Sequence, residues 1–336
     1  MCRILEAAAV VLALAAGGCA TAPPAPPAPP KTVNVIVFPG GFNWPIWVAQ
    51  ENGLFAKHGV EVQLTPTPNS VFQLTGLIEG KYDIAMTAID NLVAYREGQG
   101  EAKVLGPDLI AFMGGDNGFL RLVTVPEVKT YTDLRGKTLS VDALTTGYAF
   151  VLLEILERNG LQKDRDYQVE RAGGVLQRFQ ALMEKKQAGT MLISPFEVQA
   201  EARGYNRLAN ATDVLGRYQG LVGGARKSWA DANRDAVIAY IRGFSEAVDW
   251  LYDPRNKEAA IAIYRKNLPA ANEQAAQIAY SVLLSPRDGF QKKAQIDLEG
   301  VSTVLALRSK YGEPHKALID PAKYYDASFY QAAMRR

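Results

Sequence analysis

Val33-Asn34-Val35-Ile36-Val37-Phe38 is a short β-rich run, and Pro39-Gly40-Gly41 ends it. From Pro45 to Lys57 the apolar residues Ile46, Val48, Ala49 and Leu54 recur at helical spacing, with Gly53 weakening the propensity. Gly59 then breaks the chain before Val60-Glu61-Val62-Gln63-Leu64, which alternates as a half-buried strand does. The sequence therefore begins strand, turn, helix, strand. The alternation continues outward from there. Asn69 or Ser70 caps a helix running to Glu79, Tyr82 to Met86 is a strand, and Ile89 to Glu97 a helix. Val104 and Ile110 to Met113 predict another strand. This order predicts an α/β sheet with helices on both faces.

A second set starts near Gly118. Strands are predicted at Thr138 to Val141, Tyr167 to Arg171 and Gly189 to Ile193. Helices are predicted at Tyr148 to Asn159, Val175 to Lys185 and Phe196 to Arg203. Beyond Ser228 the period is 3.6 throughout, which predicts helices over 231–252, 256–266, 272–284 and 297–310. Two α/β units followed by a helical tail leave a cleft between them. Ligands in such sheets sit outside the carboxyl ends of the strands.

Composition narrows the function. The chain has 336 residues, 48% of them hydrophobic and 21% charged, which suits a globular protein with a core of its own. The net charge of +2 and the lack of a long basic run give no electrostatic footprint for nucleic acid. Cys2 and Cys19 are the two cysteines. The body therefore has no disulfide framework, no cysteine-ligated zinc or iron–sulfur site and no cysteine nucleophile. With only His58 and His315, polyhistidine metal sites are also poorly supplied. A G-x-S-x-G elbow, a P-loop and a Rossmann glycine fingerprint are all missing. No metal and no cofactor are expected.

Residues 7–18 are twelve apolar or small residues after a start carrying Arg3. That is too short for a membrane span and the right length for a secretory core. Ala16-Gly17-Gly18-Cys19 resembles the bacterial lipoprotein signal, which implies residues 1–19 as signal and Cys19 as the lipidated mature N-terminus. The alternative is a plain signal peptide with a cysteine at its exit. Residues 20–31 read as a tether. Pro23-Pro24-Ala25-Pro26-Pro27-Ala28-Pro29-Pro30 favours polyproline II. At ~3.1 Å per residue it spans roughly 25 Å, a semi-rigid spacer from a membrane surface.

Three stretches carry a family resemblance. They are Pro45-Ile46-Trp47-Val48-Ala49-Gln50-Glu51-Asn52-Gly53-Leu54-Phe55-Ala56-Lys57-His58-Gly59-Val60-Glu61-Val62, then Leu77-Ile78-Glu79-Gly80-Lys81-Tyr82-Asp83-Ile84-Ala85, then Asp133-Leu134-Arg135-Gly136-Lys137-Thr138-Leu139-Ser140-Val141. In that order they resemble periplasmic substrate-binding proteins of ABC importers, in the NMT1/THI5-like group for sulfonates, taurine, nitrate and thiamine precursors. The resemblance implies an α/β periplasmic-binding-protein type II fold, two lobes linked by two crossing strands. Lobe one would be discontinuous, 32–120 with 221–336, and lobe two 121–220. The crossings would fall near 118–125 and 215–223.

The predicted loops at strand ends supply the candidate ligand contacts. Gly40-Gly41 lets backbone approach a guest, Phe42 and Trp44 offer flat faces, and Asn43 offers a donor and an acceptor. Asn69 and Ser70 follow the second strand, and Thr87 with Asp90 the third. Asp116 and Asn117 line the hinge. In the second unit Thr145, Thr146 and Gly147 open a helix whose free N–H groups attract anions. Gly174 opens another helix, with Arg178 one turn in to hold a carboxylate or sulfonate. Ser194 and Glu197 end a strand in the same way. Several have a plainer alternative: Trp44 packing inward, Asn69, Ser70, Asp90 and the threonines before Gly147 capping helices, Arg178 on the surface.

The expected function is solute capture without chemistry on the solute. The expected partners are a small anionic or heterocyclic molecule, the transmembrane subunits of an ABC permease, and a membrane reached through a lipid anchor. The protein is expected to be monomeric and periplasmic, lipid-anchored to a bacterial membrane or displayed at the cell surface. Two other readings stand beside it: an enzyme of the thiamine-pyrimidine synthase superfamily, which the cysteine-free body disfavours, and a ligand-sensing lipoprotein with no transport role.

Overall fold

The computed structural model describes residues 29–287 and 289–335. The signal, Cys19 and most of the proline tether lie outside them. The first half alternates β1 (Lys31–Val37), α1 (Trp44–Glu51), α2 (Leu54–Lys57), β2 (Val60–Pro66), α3 (Ser70–Ile78), β3 (Ile84–Ala88), α4 (Ile89–Glu97) and β4 (Leu109–Gly114). A second alternation follows with β5 (Arg121–Thr124), β6 (Thr138–Val141), α5 (Gly147–Arg158), β7 (Gln168–Arg171), α6 (Val175–Met183), β8 (Gly189–Leu192), α7 (Phe196–Glu201), β9 (Asn206–Asn210) and α8 (Ala211–Leu215). The chain then returns through β10 (Leu221–Arg226) into a helical tail. That tail is α9 (Lys227–Ala232), α10 (Arg234–Tyr252), α11 (Lys257–Asn267), α12 (Glu273–Leu283), α13 (Leu298–Tyr311) and α14 (Ala327–Met334).

The fold is the two-sheet periplasmic-binding-protein type. One sheet has the order β2-β1-β3-β10-β4, the other β7-β6-β8-β5-β9. In each, four strands run parallel and the fourth position is filled by an antiparallel strand, β10 in one and β5 in the other. Both antiparallel strands come directly after the chain has passed between sheets, at 115–120 and again at 211–220. Helices cover both faces, so β3, β4, β8 and β10 bury nearly every residue. β2, at an edge, keeps the in–out alternation read from its sequence.

Two predicted helices are each divided. The helix expected over 45–57 is α1 and α2, because Gly53 takes a left-handed φ of +65° that an α-helix cannot contain. The helix expected over 231–252 is preceded by a separate α9, and Asn233 between them has non-helical angles. Val104, predicted to begin a strand, falls in a loop before β4.

Candidate functional site

A small, partly open cavity lies between the two sheets, at the carboxyl ends of their parallel strands. Phe38 and Phe42 follow β1 and Ala88 ends β3; from the other sheet Asp142 follows β6, Arg178 sits on α6 and Ile193 follows β8. Its interior leaves about 50 Å³ open to the centre of a water molecule. One water needs roughly 10–15 Å³ on that measure. The lobes meet around it through backbone bonds. Gly41 N donates to Ser194 O at 3.1 Å and Gly174 N to Pro68 O at 2.8 Å. Ser70 N donates to Asp142 Oδ2 at 3.0 Å.

The sequence candidates divide into three groups. Phe42, Thr146, Gly147 and Arg178 line the cavity. Thr146 also caps α5, its Oγ1 accepting from Ala149 N at 3.4 Å. Arg178 is not on the surface: it is buried, with Nη1 on Gly173 O at 3.0 Å and Nη2 on Met191 O at 3.2 Å. Burial pulls its guanidinium pKa down, and the nearby Asp142 carboxylate opposes that.

A second group frames the cavity without lining it. Gly174 and Ser194 contribute the backbone bonds just described, and Ser70 the bond to Asp142. Asn43 Nδ2 holds Phe38 O at 2.6 Å, fixing the loop after β1. Thr87 Oγ1 accepts from Asn91 Nδ2 at 2.9 Å. Ser194 Oγ donates to Glu197, whose carboxyl is raised by burial against the opposing pull of that bond and of Arg121.

The third group points elsewhere. Trp44 was expected to face the guest; its ring is instead fully buried beside Tyr264, centroids 4.5 Å apart, with Nε1 on Ala260 O at 3.1 Å. The C-terminal helices supply that pocket, so the indole is part of the core. Asn69 caps α3 through Phe72 N at 2.8 Å and borders an open groove rather than the cavity. Asn117 turns toward Arg287 O and Gly289 O. Thr145 Oγ1 reaches Glu101 at 3.4 Å, and its carbonyl accepts from Arg308.

Asp90 is the largest correction. Its carboxylate is buried and bidentate to Arg308, Nε at 2.6 Å and Nη2 at 2.5 Å. The same Nη2 donates to Thr145 O at 2.6 Å, and the guanidinium lies 4.8 Å over the Phe150 ring. Arg308 on α13 thus ties Asp90 of one lobe to α5 of the other. A Cβ at Gly147 would overlap the Asp90 carboxylate, so only glycine lets the start of α5 settle on it. The helix N-terminus predicted to attract an external anion already has an internal one.

Residues not proposed as contacts complete the lining. They include Asp142 and Tyr148 next to predicted loop positions, the ring of Phe119, and Asp116. Asp142 directly follows a predicted strand, which was a usable signal. Nothing local marks Phe119 or Tyr148, because their direction depends on how the lobes meet. The sequence places Asp116 at the hinge, and the structure adds a second role. Its Oδ1 accepts from Gly118 N at 2.8 Å and Leu221 N at 3.0 Å, so it clasps both passages between sheets. Burial raises its carboxyl to about 6 against those two bonds. Among the described residues no group of three or more His, Cys, Asp or Glu could hold a metal ion.

The sequence matches the NMT1-like family over residues 26–265. No curated protein matches it. Solved structures share the fold at low identity. A Bordetella bronchiseptica RB50 protein superposes with a TM-score of 0.76 at 18% identity, covering 90% of this chain and 96% of its own. The periplasmic nitrate-binding protein of Synechocystis PCC 6803 gives 0.74 at 14% identity, covering 90% and 88%. The alkanesulfonate-binding protein of Xanthomonas axonopodis pv. citri, bound to MOPS, gives 0.68 at 15%, covering 91% and 99%.

Proposed function

The chain belongs to the NMT1-like family, and on that premise we propose that it captures a small solute between its lobes and delivers it to an ABC-type permease. The observation that carries the reading is the cavity walled by both lobes at the carboxyl ends of their strands. The nitrate-binding and alkanesulfonate-binding proteins share its architecture and support the same kind of work here. Phe42, Thr146, Gly147 and Arg178 are the proposed guest contacts. The proposed working unit is the monomer. No chemistry on the guest is proposed, and the cysteine-free body speaks against the iron-dependent synthase alternative.

We place the protein outside the cytoplasmic membrane. No helix among the described residues is long and apolar enough to cross a membrane. Attachment would rest on lipidation at Cys19, with the proline run as spacer. Closure follows from a guest that contacts both lobes and so favours the closed state.

The test is native mass spectrometry of the protein from its own host, followed by a thermal-shift panel with what it carries. A true guest at 100 times its Kd adds ~2.7 kcal/mol of stability. No co-purified solute and no shift with any panel member would remove the reading.

A further inference from the structure

Three charged side chains line the cavity: Asp116, Asp142 and Arg178. Two carboxylates against one guanidinium leave it net negative. Asp90 and Arg308, beneath Gly147, cancel each other. The N-terminus of α5, where an external anion would bind best, is already covered by Asp90. The cavity is therefore a poor host for a simple anion.

Both carboxylates in the lining keep unused acceptor capacity. Both backbone amides at Asp116 bond the same oxygen, Oδ1, and Oδ2 has no hydrogen-bond partner among the described residues. Asp142 Oδ2 takes Ser70 N, while its buried Oδ1 has no partner. Arg178 donates one N–H from each terminal nitrogen to a carbonyl, and its buried Nε has no partner. A buried carboxylate oxygen without a donor, as at Asp142 Oδ1, is costly, so a guest that brings donors relieves that cost. The walls are the rings of Phe38, Phe42, Phe119 and Tyr148. Rings offer flat contact to a planar solute and a negative face to a cation.

We infer that the guest is a planar solute, neutral or singly cationic, that turns N–H donors toward Asp116 and Asp142, and that Asp116 is the residue that reads it. This rests on the solute-capture reading and narrows its chemistry. Asp116 is well placed for the task. Its Oδ1 joins the two passages between lobes, so a guest at Oδ2 bonds the residue that holds the hinge together.

Three probes of one shape separate the possibilities: benzamidine, a cation with N–H donors; benzamide, neutral with N–H donors; and benzoate, an anion with none. Each is titrated calorimetrically into the full chain after removal of any co-purified solute. Benzamidine and benzamide bind, and benzoate binds at least about tenfold more weakly, as expected when a buried polar group meets the wrong partner. Asp116→Asn keeps an oxygen for the two backbone amides but turns an amide toward the guest. It lowers benzamidine affinity about tenfold or more and narrows or reverses the preference over benzoate. Asp142→Asn leaves both passages untouched and also weakens benzamidine, so the test survives an Asp116→Asn chain that does not fold. Benzoate binding as tightly as benzamidine overturns the inference, as does wild-type benzamidine affinity in the folded variants, or failure of all three probes to bind. A benzoate preference leaves solute capture standing. Failure of all three, with no co-purified solute, removes both.

Discussion

Asp90 and Asp116 are both buried carboxylates at the edge of the same cleft, and they do opposite work. Asp90 meets a guanidinium through two bonds, and the pair fastens α13 and α4 of one lobe to α5 of the other. Asp116 meets no cation; two backbone amides on one oxygen are its whole support, and burial raises its carboxyl to about 6. A buried carboxylate with a matched partner is structural. One left half-satisfied beside a cavity stores a cost that a guest can relieve.

The largest effect that would break this contrast is at Asp90. Asp90→Ala leaves Arg308 buried and unpaired, and should destabilise the protein by about 3–5 kcal/mol in urea denaturation. A loss below about 1 kcal/mol would mean that the pair does not hold the lobes.

Next in size is the pH dependence of stability. Asp116 is raised in the fold to about 6, above the roughly 3.9 of an unfolded aspartate, so the native chain holds that proton more tightly. Stability without guest therefore rises as pH falls from 7 through 6 toward 4, by on the order of 2 kcal/mol, and Asp116→Asn flattens that rise. The charged and titratable groups nearby are Arg178, Asp142, Tyr148, Tyr218, Asp90 and Arg308. Glu97 and Glu154 act with the opposite sign and in a lower window. Burial alone would raise them, but bonds from Lys323, Tyr324 and Lys316, and from Lys310, Tyr311 and Arg158, hold both at about 2. Their contribution is complete above the unfolded value and is lost as pH falls toward 2. Urea curves of wild type and Asp116→Asn at pH 7, 6 and 5 isolate the Asp116 part. Parallel profiles would show that Asp116 is satisfied after all.

The smallest effect sharpens the contrast from outside. Lys57 and Glu246 form an exposed pair at 2.8 Å on lobe one. Lys57→Ala should cost about 0.5 kcal/mol or less, and added salt should erase the difference. A larger, salt-resistant loss would mean that burial is not what separates strong from weak pairs here.

The alternation of strands and helices was legible because its signals are local. Val60-Glu61-Val62 reports an edge strand by its alternation, and Gly-rich turns mark the strand ends. Gly53 was visible as a weak point in a helix; its left-handed conformation was not. The site was half legible. Strand-end loops flagged Phe42, Thr146, Gly147 and Arg178, all of which line the cavity. The same rule misdirected for Trp44 and Asp90. Their partners, Tyr264 and Arg308, stand far along the chain, and no local pattern announces them.

By itself the sequence determined two α/β units, a helical tail and a body without cysteine, since these depend on periodicity, turn residues and composition. Tertiary structure alone decided which polar groups are spent on each other and which remain for a guest. That depends on pairings across more than two hundred residues, such as Asp90 with Arg308. A carboxylate's role is set by the charge that burial places beside it, and only the folded chain brings that charge near.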